Sequence, residues 1–128
     1  MTPLTLEWVE KAEGDFVSAA RELRSRKSPN YDAACFHSQQ CAEKYMKGRL
    51  QEAAIAFPKT HNLVELLHLM ATLEPTLLPL RNDLNDLSKA AVEIRYPGRS
   101  ATKADAKSSF ATARQVRAVI RASLGLPT

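Results

Sequence analysis

The spacing of apolar residues between prolines most narrows the folds open to this chain. In five successive segments apolar side chains recur three and four residues apart, which is one face of an α-helix; no stretch alternates long enough for a half-buried strand. The first segment, about Leu4 to Lys27, places Val9, Ala12, Phe16, Ala19, Ala20 and Leu23 on one face. Ser28-Pro29 stops it and starts a second, about Asn30 to Ile55, because proline suits the first turn of a helix. The stripe of this second helix is Tyr31, Ala34, Cys35, Ser38, Ala42, Tyr45 and Met46. Beyond Pro58 a short third helix repeats Leu63, Leu66, Leu67 and Met70, with Thr60 expected as its N-cap. After Pro75 a fourth carries Leu77, Leu80, Leu84, Leu87, Ala91 and Ile94, and Pro79 within it predicts a first turn or a kink. Pro97-Gly98 closes that segment, and the fifth, about Thr102 to Leu124, turns Ala106, Phe110, Ala113, Val116 and Ile120 inward. Such segments with short connections predict an all-α fold: an up-and-down antiparallel bundle of about five helices, four long and one short.

The 128 residues suit one domain, 1–128, and no internal repeat divides them. A domain of this size buries roughly two thirds of its unfolded surface, so it needs neither disulfide nor metal to fold. A composition 45% hydrophobic and 25% charged excludes intrinsic disorder. No apolar run approaches the roughly 20 residues that cross a bilayer, so no membrane association is expected. Glu7 and Glu10 fall where a secretory leader would be apolar, so no leader is expected either. Cys35 and Cys41 lie about 120° apart on one helix, which makes them buried small residues rather than a pair and points to a reducing cytoplasm. Leu4, Trp8 and Leu77 are open between core and an apolar interface.

Charge is distributed unevenly. Residues 1–97 hold 12 Lys/Arg against 13 Asp/Glu, whereas residues 98–128 hold six basic residues against Asp105 alone, so the basic excess lies in the last quarter. On the fifth helix Lys103, Lys107, Arg114 and Arg121 fall within about 40° of one another beside the apolar face. This row is a candidate contact for a nucleic-acid backbone or an acidic partner, to be weighed against an ordinary solvated face.

The second helix holds the most informative string, Phe36-His37-Ser38-Gln39-Gln40-Cys41-Ala42-Glu43-Lys44-Tyr45-Met46-Lys47. Gln40, Glu43 and Lys47 share a stripe, with His37 and Lys44 on the neighbouring one; spacing alone reads this as a solvated face with a weak Glu43–Lys47 pair. On the third helix His61, Glu65 and His68 share a face with Glu-x-x-His spacing, but a di-iron bundle needs a second such motif, and none exists, so no metal or other cofactor is expected.

Three pieces then stand in order: Phe36, His37, Gln39, Gln40, Glu43, Lys44 and Lys47; Thr60, His61 and Leu63; Arg95, Tyr96 and Pro97. Together they resemble the HEPN family, the nucleotide-binding domain of higher eukaryotes and prokaryotes, over nearly the whole chain. The resemblance implies a helical bundle, usually a homodimer, in some members paired with a minimal nucleotidyltransferase. Some members are ribonucleases, including toxins of toxin–antitoxin pairs, with an Arg, four to six residues, then His. Here no arginine stands five to seven residues before His37, His61 or His68, and no histidine follows Arg95 or Arg99.

The resemblance therefore implies a non-catalytic module for a nucleotide or RNA. Lys44, Lys47 and Arg95 would meet phosphates, Tyr96 would stack on a base, and His37 would lie beside them in one polar groove between the second and fourth helices. The structural counterpart of that expectation is an Arg95–Glu43 pair between helices. Two other readings stand beside it: a divergent ribonuclease toxin using His37 or His61 with Arg95, and an interaction protein whose dimer surface is its only site.

Overall fold

Local signals start and stop the helices. The computed structural model describes residues 1–128 and is wholly helical: α1 (Pro3–Arg24), α2 (Tyr31–Glu52), α3 (Leu63–Leu69), a 3₁₀ turn (Pro75–Leu80), α4 (Arg81–Glu93) and α5 (Lys103–Ser123). The Thr2 hydroxyl accepts from the Thr5 N–H to cap α1, with Pro3 in the first turn, and Asn30 caps α2 through the Ala33 N–H. α1 ends at Arg24, before the expected Lys27, and Ser28 takes a positive φ of 48° in the turn that follows. α2 ends at Glu52 rather than Ile55, and Ala54 reverses the chain with φ 56°.

Asn62, not Thr60, caps α3, because its carboxamide oxygen is placed to accept from both the Val64 and Glu65 N–H groups. Thr60 instead receives the Asn62 N–H and donates to Glu65, bracing the loop. Pro79 is accommodated in the 3₁₀ turn, so the regular fourth helix starts only at Arg81. Thr102 and Asp105 close a reciprocal capping box at α5.

The four long helices form the antiparallel up-and-down bundle. Along α1 and α2, Thr2 meets Glu52, Trp8 meets Gly48 and Asp15 meets Lys44, which fixes their opposite directions. A Cβ on Gly48 would sit 3.1 Å from the Trp8 Cβ, so glycine permits this close approach. Along α2 and α5, Cys35 meets Ser109 and Tyr45 meets Arg121, so those two run parallel. α2 is the central element, packed by α1, α3, α4 and α5, and 12 of its 22 residues are buried, which explains why its apolar stripe is the least clean of the long helices. The main core gathers Val9, Ala12, Tyr45, Met46, Leu50, Leu66, Leu84, Val116 and Ile120, with Cys41 and Leu77 inside it. Cys35 is buried in a small satellite with Ala34 and Ala106. Of the three undecided apolar residues, Leu77 is core, Leu4 is exposed, and Trp8 is half-buried edge-on to Phe57. No helix is long and apolar enough to cross a membrane.

Candidate functional site

Two carboxylates organise the polar side of α2. Asp15 stands at helical spacing between Ala12 and Ala19, on the face that α1 turns inward, and its side chain is largely buried. Its carboxylate accepts from Lys44 Nζ at 2.6 Å and from His37 Nδ1 at 2.8 Å. A carboxylate only accepts, so His37 Nδ1 is the donor, and Nε2 makes no hydrogen bond within the chain. Glu43, with 5% of its side chain exposed, collects Lys47 Nζ at 3.1 Å, Gln39 Nε2 at 3.1 Å and His61 Nδ1 at 2.9 Å. Gln39 also donates to the His61 carbonyl, and Gln40 donates to Gln39, so the polar string on α2 ties down the loop leading into α3.

The expected solvated face is thus buried. Glu43 and Lys47 do pair, but beneath that loop and between two aromatic rings, with Lys47 Nζ 5.9 Å from the Trp8 centroid and 6.0 Å from that of Phe57. The pair satisfies charges that cannot reach water, a role different from that of a surface i, i+4 pair.

Arg95 lies in the turn after α4, exposed, with its guanidinium carbon 5.2 Å from the Phe36 centroid. It belongs to none of the chain's ion pairs, and the alternative pairing with Glu43 does not form. The His37 ring also meets Phe36, edge-on with centroids 5.4 Å apart. Tyr96 follows Arg95 and is 66% exposed. His37 and Arg95 therefore both approach Phe36, where the first half of α2 meets the end of α4; Tyr96 adjoins Arg95 in the chain, and Lys44 is joined to His37 only through the shared Asp15 carboxylate. Lys47 is elsewhere: it lies eleven residues beyond Phe36, roughly 16 Å along the helix axis.

The row expected on α5 also divides. Lys103, Lys107 and Arg114 are exposed and unpaired. Arg121 instead turns inward, donating to Glu13 at 3.1 Å and to the Tyr45 hydroxyl at 3.1 Å, beside an Arg117–Glu13 bond of 2.8 Å. Burial pushes the Glu13 carboxyl up, but hydrogen bonds from Arg117 and Tyr45 and the charges of Arg117 and Arg121 outweigh it and hold the group below its usual range. Burial, with the facing Glu13 carboxylate, pushes the Tyr45 phenol up to about 12.

His61, Glu65 and His68 bring no metal cluster together, since His61 is held by Glu43 and Glu65 by Thr60. A groove of about 380 Å³ between α4 and the start of α5 is lined by Asp83, Asp86, Glu93, Arg99 and Asp105 and includes none of the residues expected from sequence. Sequence reasoning passed over Asp15 and Glu13; an acid set among Ala12 and Ala19 on an inward stripe was the available signal for Asp15.

Comparison with known proteins agrees with this architecture. The family model for the HEPN domain matches residues 5–123. Among solved structures, the crystal structure of TT1696 from Thermus thermophilus superposes with a TM-score of 0.81 at 20% identity, covering 95% of this chain and 99% of that one; at this identity the likeness concerns the fold. No curated protein matches. With its family match running nearly end to end and the expected motifs in place, the chain belongs to the HEPN domain family.

Proposed function

We propose that this HEPN domain is a non-catalytic module that binds a nucleotide or an RNA end where α2 meets α4. The observation that carries the reading is Arg95: alone among the three lysine and arginine residues of the expected site it has no acidic partner, and it stands exposed with its guanidinium carbon 5.2 Å from the Phe36 ring. A guanidinium presented this way offers a fork of donors to a phosphate. Tyr96 supplies a face for a base, and His37 and Lys44, each already held by Asp15, border the phosphate side. Lys47 acts at a distance, fixing α2 through Glu43.

In this reading the chain forms a homodimer in a reducing cytoplasm and pairs with a minimal nucleotidyltransferase, as the family resemblance implies. Exposed Val92, at the end of α4, and Tyr96, in the turn after it, give the surface beside Arg95 the apolar component that such a partner would cover.

A second reading has one specific observation in its favour: His37 and Arg95 approach the same Phe36 ring, and Asp15 holds His37 with Nε2 free. A metal-independent ribonuclease needs a base near the 2′-hydroxyl and a cation on the phosphorane. The two readings separate in one experiment, titrating the chain with nucleotides and short RNAs in chelator while following melting temperature, scattering mass and RNA length. Binding at a thousandfold excess over Kd adds about 4 kcal/mol. The proposed function expects such a shift with intact RNA, lost in Arg95→Ala. Cleavage abolished by His37→Ala would establish the ribonuclease. A dimer mass with no shift from any ligand would leave an interaction protein.

A further inference from the structure

The seam between α1 and α5 carries a concentration of charge that the fold does not use. At one end Glu13 receives Arg117 and Arg121, so charges there are matched. Phe16 stacks on Phe110 at 5.1 Å further along. Glu13 meeting Arg117 and Arg121 while Phe16 meets Phe110 means that the helices run antiparallel. The second half of α1 therefore lies beside the first half of α5.

That end is basic and unmatched. Arg21 and Arg24 on α1, and Lys103, Lys107 and Arg114 on α5, are all exposed, and Arg26 and Lys27 follow in the connecting turn. The ion pairs formed by lysine and arginine side chains use Lys44, Lys47, Arg49, Arg99, Arg117 and Arg121 and none of these seven. Val17, Arg21 and Arg24 fall within about 60° on the side of α1 that carries Glu13. The α5 row falls within about 40° on the side that carries Arg121. Two rows of cations thus border one seam. The local acids form no ion pair with them: Glu22 and Asp105 project from other sides of their helices, Asp105 is closed onto the Thr102 N–H, and Asp32 accepts from the Ala101 N–H.

Helix electrostatics explains only half of this. Arg21 and Arg24 stand in the last turn of α1, where the helix dipole favours cations. Lys103 is the first residue of α5 and Lys107 lies one turn on, where the dipole disfavours them. Their placement beside further positive charge works against folding, so a polyanion outside the chain is the natural counter-charge.

We propose that the α1–α5 seam binds the sugar–phosphate backbone of a single-stranded nucleic acid, without reading its sequence. Lys103 to Arg114 spans about 16 Å of helix, the length of roughly five stacked nucleotides at about 3.4 Å each. A membrane is the less favoured polyanion because Val17 is the sole large apolar residue exposed within the patch, too little to insert. The seam shares no residue with the Arg95 surface, and the proposal stands without that reading.

The test is fluorescence anisotropy of the full chain with a labelled 2′-O-methyl uridine strand of roughly 20 nucleotides, long enough to cover the seam, over a salt series. Such a strand cannot be cut through its own 2′-hydroxyl. The expected result is a linear fall of log affinity with log salt. The triple variant Lys103→Gln, Lys107→Gln, Arg114→Gln should bind about a hundredfold more weakly at about 0.1 M salt, with a slope shallower by about 2. Arg21→Gln with Arg24→Gln should weaken binding in the same direction, and circular dichroism should show both variants as helical as the parent. The triple variant should keep the mononucleotide binding of the parent, and Arg95→Ala should lower the salt slope by no more than the share of one contact, about 0.7, which keeps the two sites distinguishable. The proposal is overturned if the triple variant binds the strand as tightly as the parent, or if Arg95→Ala alone removes the salt dependence. It is also overturned if the chain sediments with phosphatidylglycerol vesicles while leaving the strand free.

Discussion

Replacing Glu43 by alanine removes the acceptor shared by Lys47 at 3.1 Å, Gln39 at 3.1 Å and His61 at 2.9 Å. His61 is 71% exposed at its side chain and can turn to water, so its share of the loss is small. Lys47 cannot: 8% of its side chain is exposed, Glu43 is the one acid it pairs with, and its ammonium lies 5.9 Å and 6.0 Å from the Trp8 and Phe57 ring centroids. Removing one partner of a buried pair typically costs about 3–5 kcal/mol, because the remaining charge stays desolvated. We expect a loss of about 4 kcal/mol for Glu43→Ala, which lowers Tm by roughly 15 °C at about 4 °C per kcal/mol for a domain of this size. Combining Glu43→Leu with Lys47→Met removes both charges and refills the space, and should return stability to within about 1 kcal/mol of the parent. Urea unfolding followed by far-ultraviolet circular dichroism measures both, with an unchanged m value confirming that the unfolded reference has not shifted. A Glu43→Ala loss under about 1 kcal/mol, or a double variant as damaged as the single one, would refute the description of Glu43 and Lys47 as a desolvated, mutually dependent pair.

Two further outcomes follow from the core. The Tyr45 phenol, ordinarily near 10.0, is held protonated up to about 12 in the folded chain, so between these values the folded state binds more protons than the unfolded one and stability falls as pH rises. Urea midpoints of Tyr45→Phe should fall less steeply over that window than those of the parent; parallel curves would remove Tyr45 as the cause. Cys35 and Cys41 are both fully buried and their thiols are pushed up by burial, so neither should react with a thiol reagent until the chain unfolds. Rapid labelling of the native protein, timed against its unfolding rate, would contradict their placement.

The helices and the family were legible because both depend on order along the chain. Leu63, Leu66 and Leu67 announce α3 by spacing, and the prolines announce the breaks. Helix ends were less legible. Ala54 reverses with a positive φ that no glycine announces, and Asn62 displaces Thr60 as a cap because position relative to the first turn decides which side chain reaches two free N–H groups. Within the site, only the family pattern linked Arg95 and Tyr96 to the Phe36 string, and Asp15, which holds His37 and Lys44, belongs to no motif.

Sequence by itself determines the angle at which each side chain leaves its helix, since the turn of an α-helix is fixed at 3.6 residues. It does not determine what stands opposite at that level. Gln40, Glu43 and Lys47 have the spacing of a solvated stripe, and the loop carrying Phe57 and His61 makes that stripe an interior. Arg114 and Arg121 share a direction on α5, yet Arg121 is drawn inward because Glu13 and Tyr45 lie at its height, while Arg114 meets no acid and stays free. Which cations are spent inside the fold and which face outward was decided by the axial register of neighbouring helices, a property of packing that periodicity does not carry.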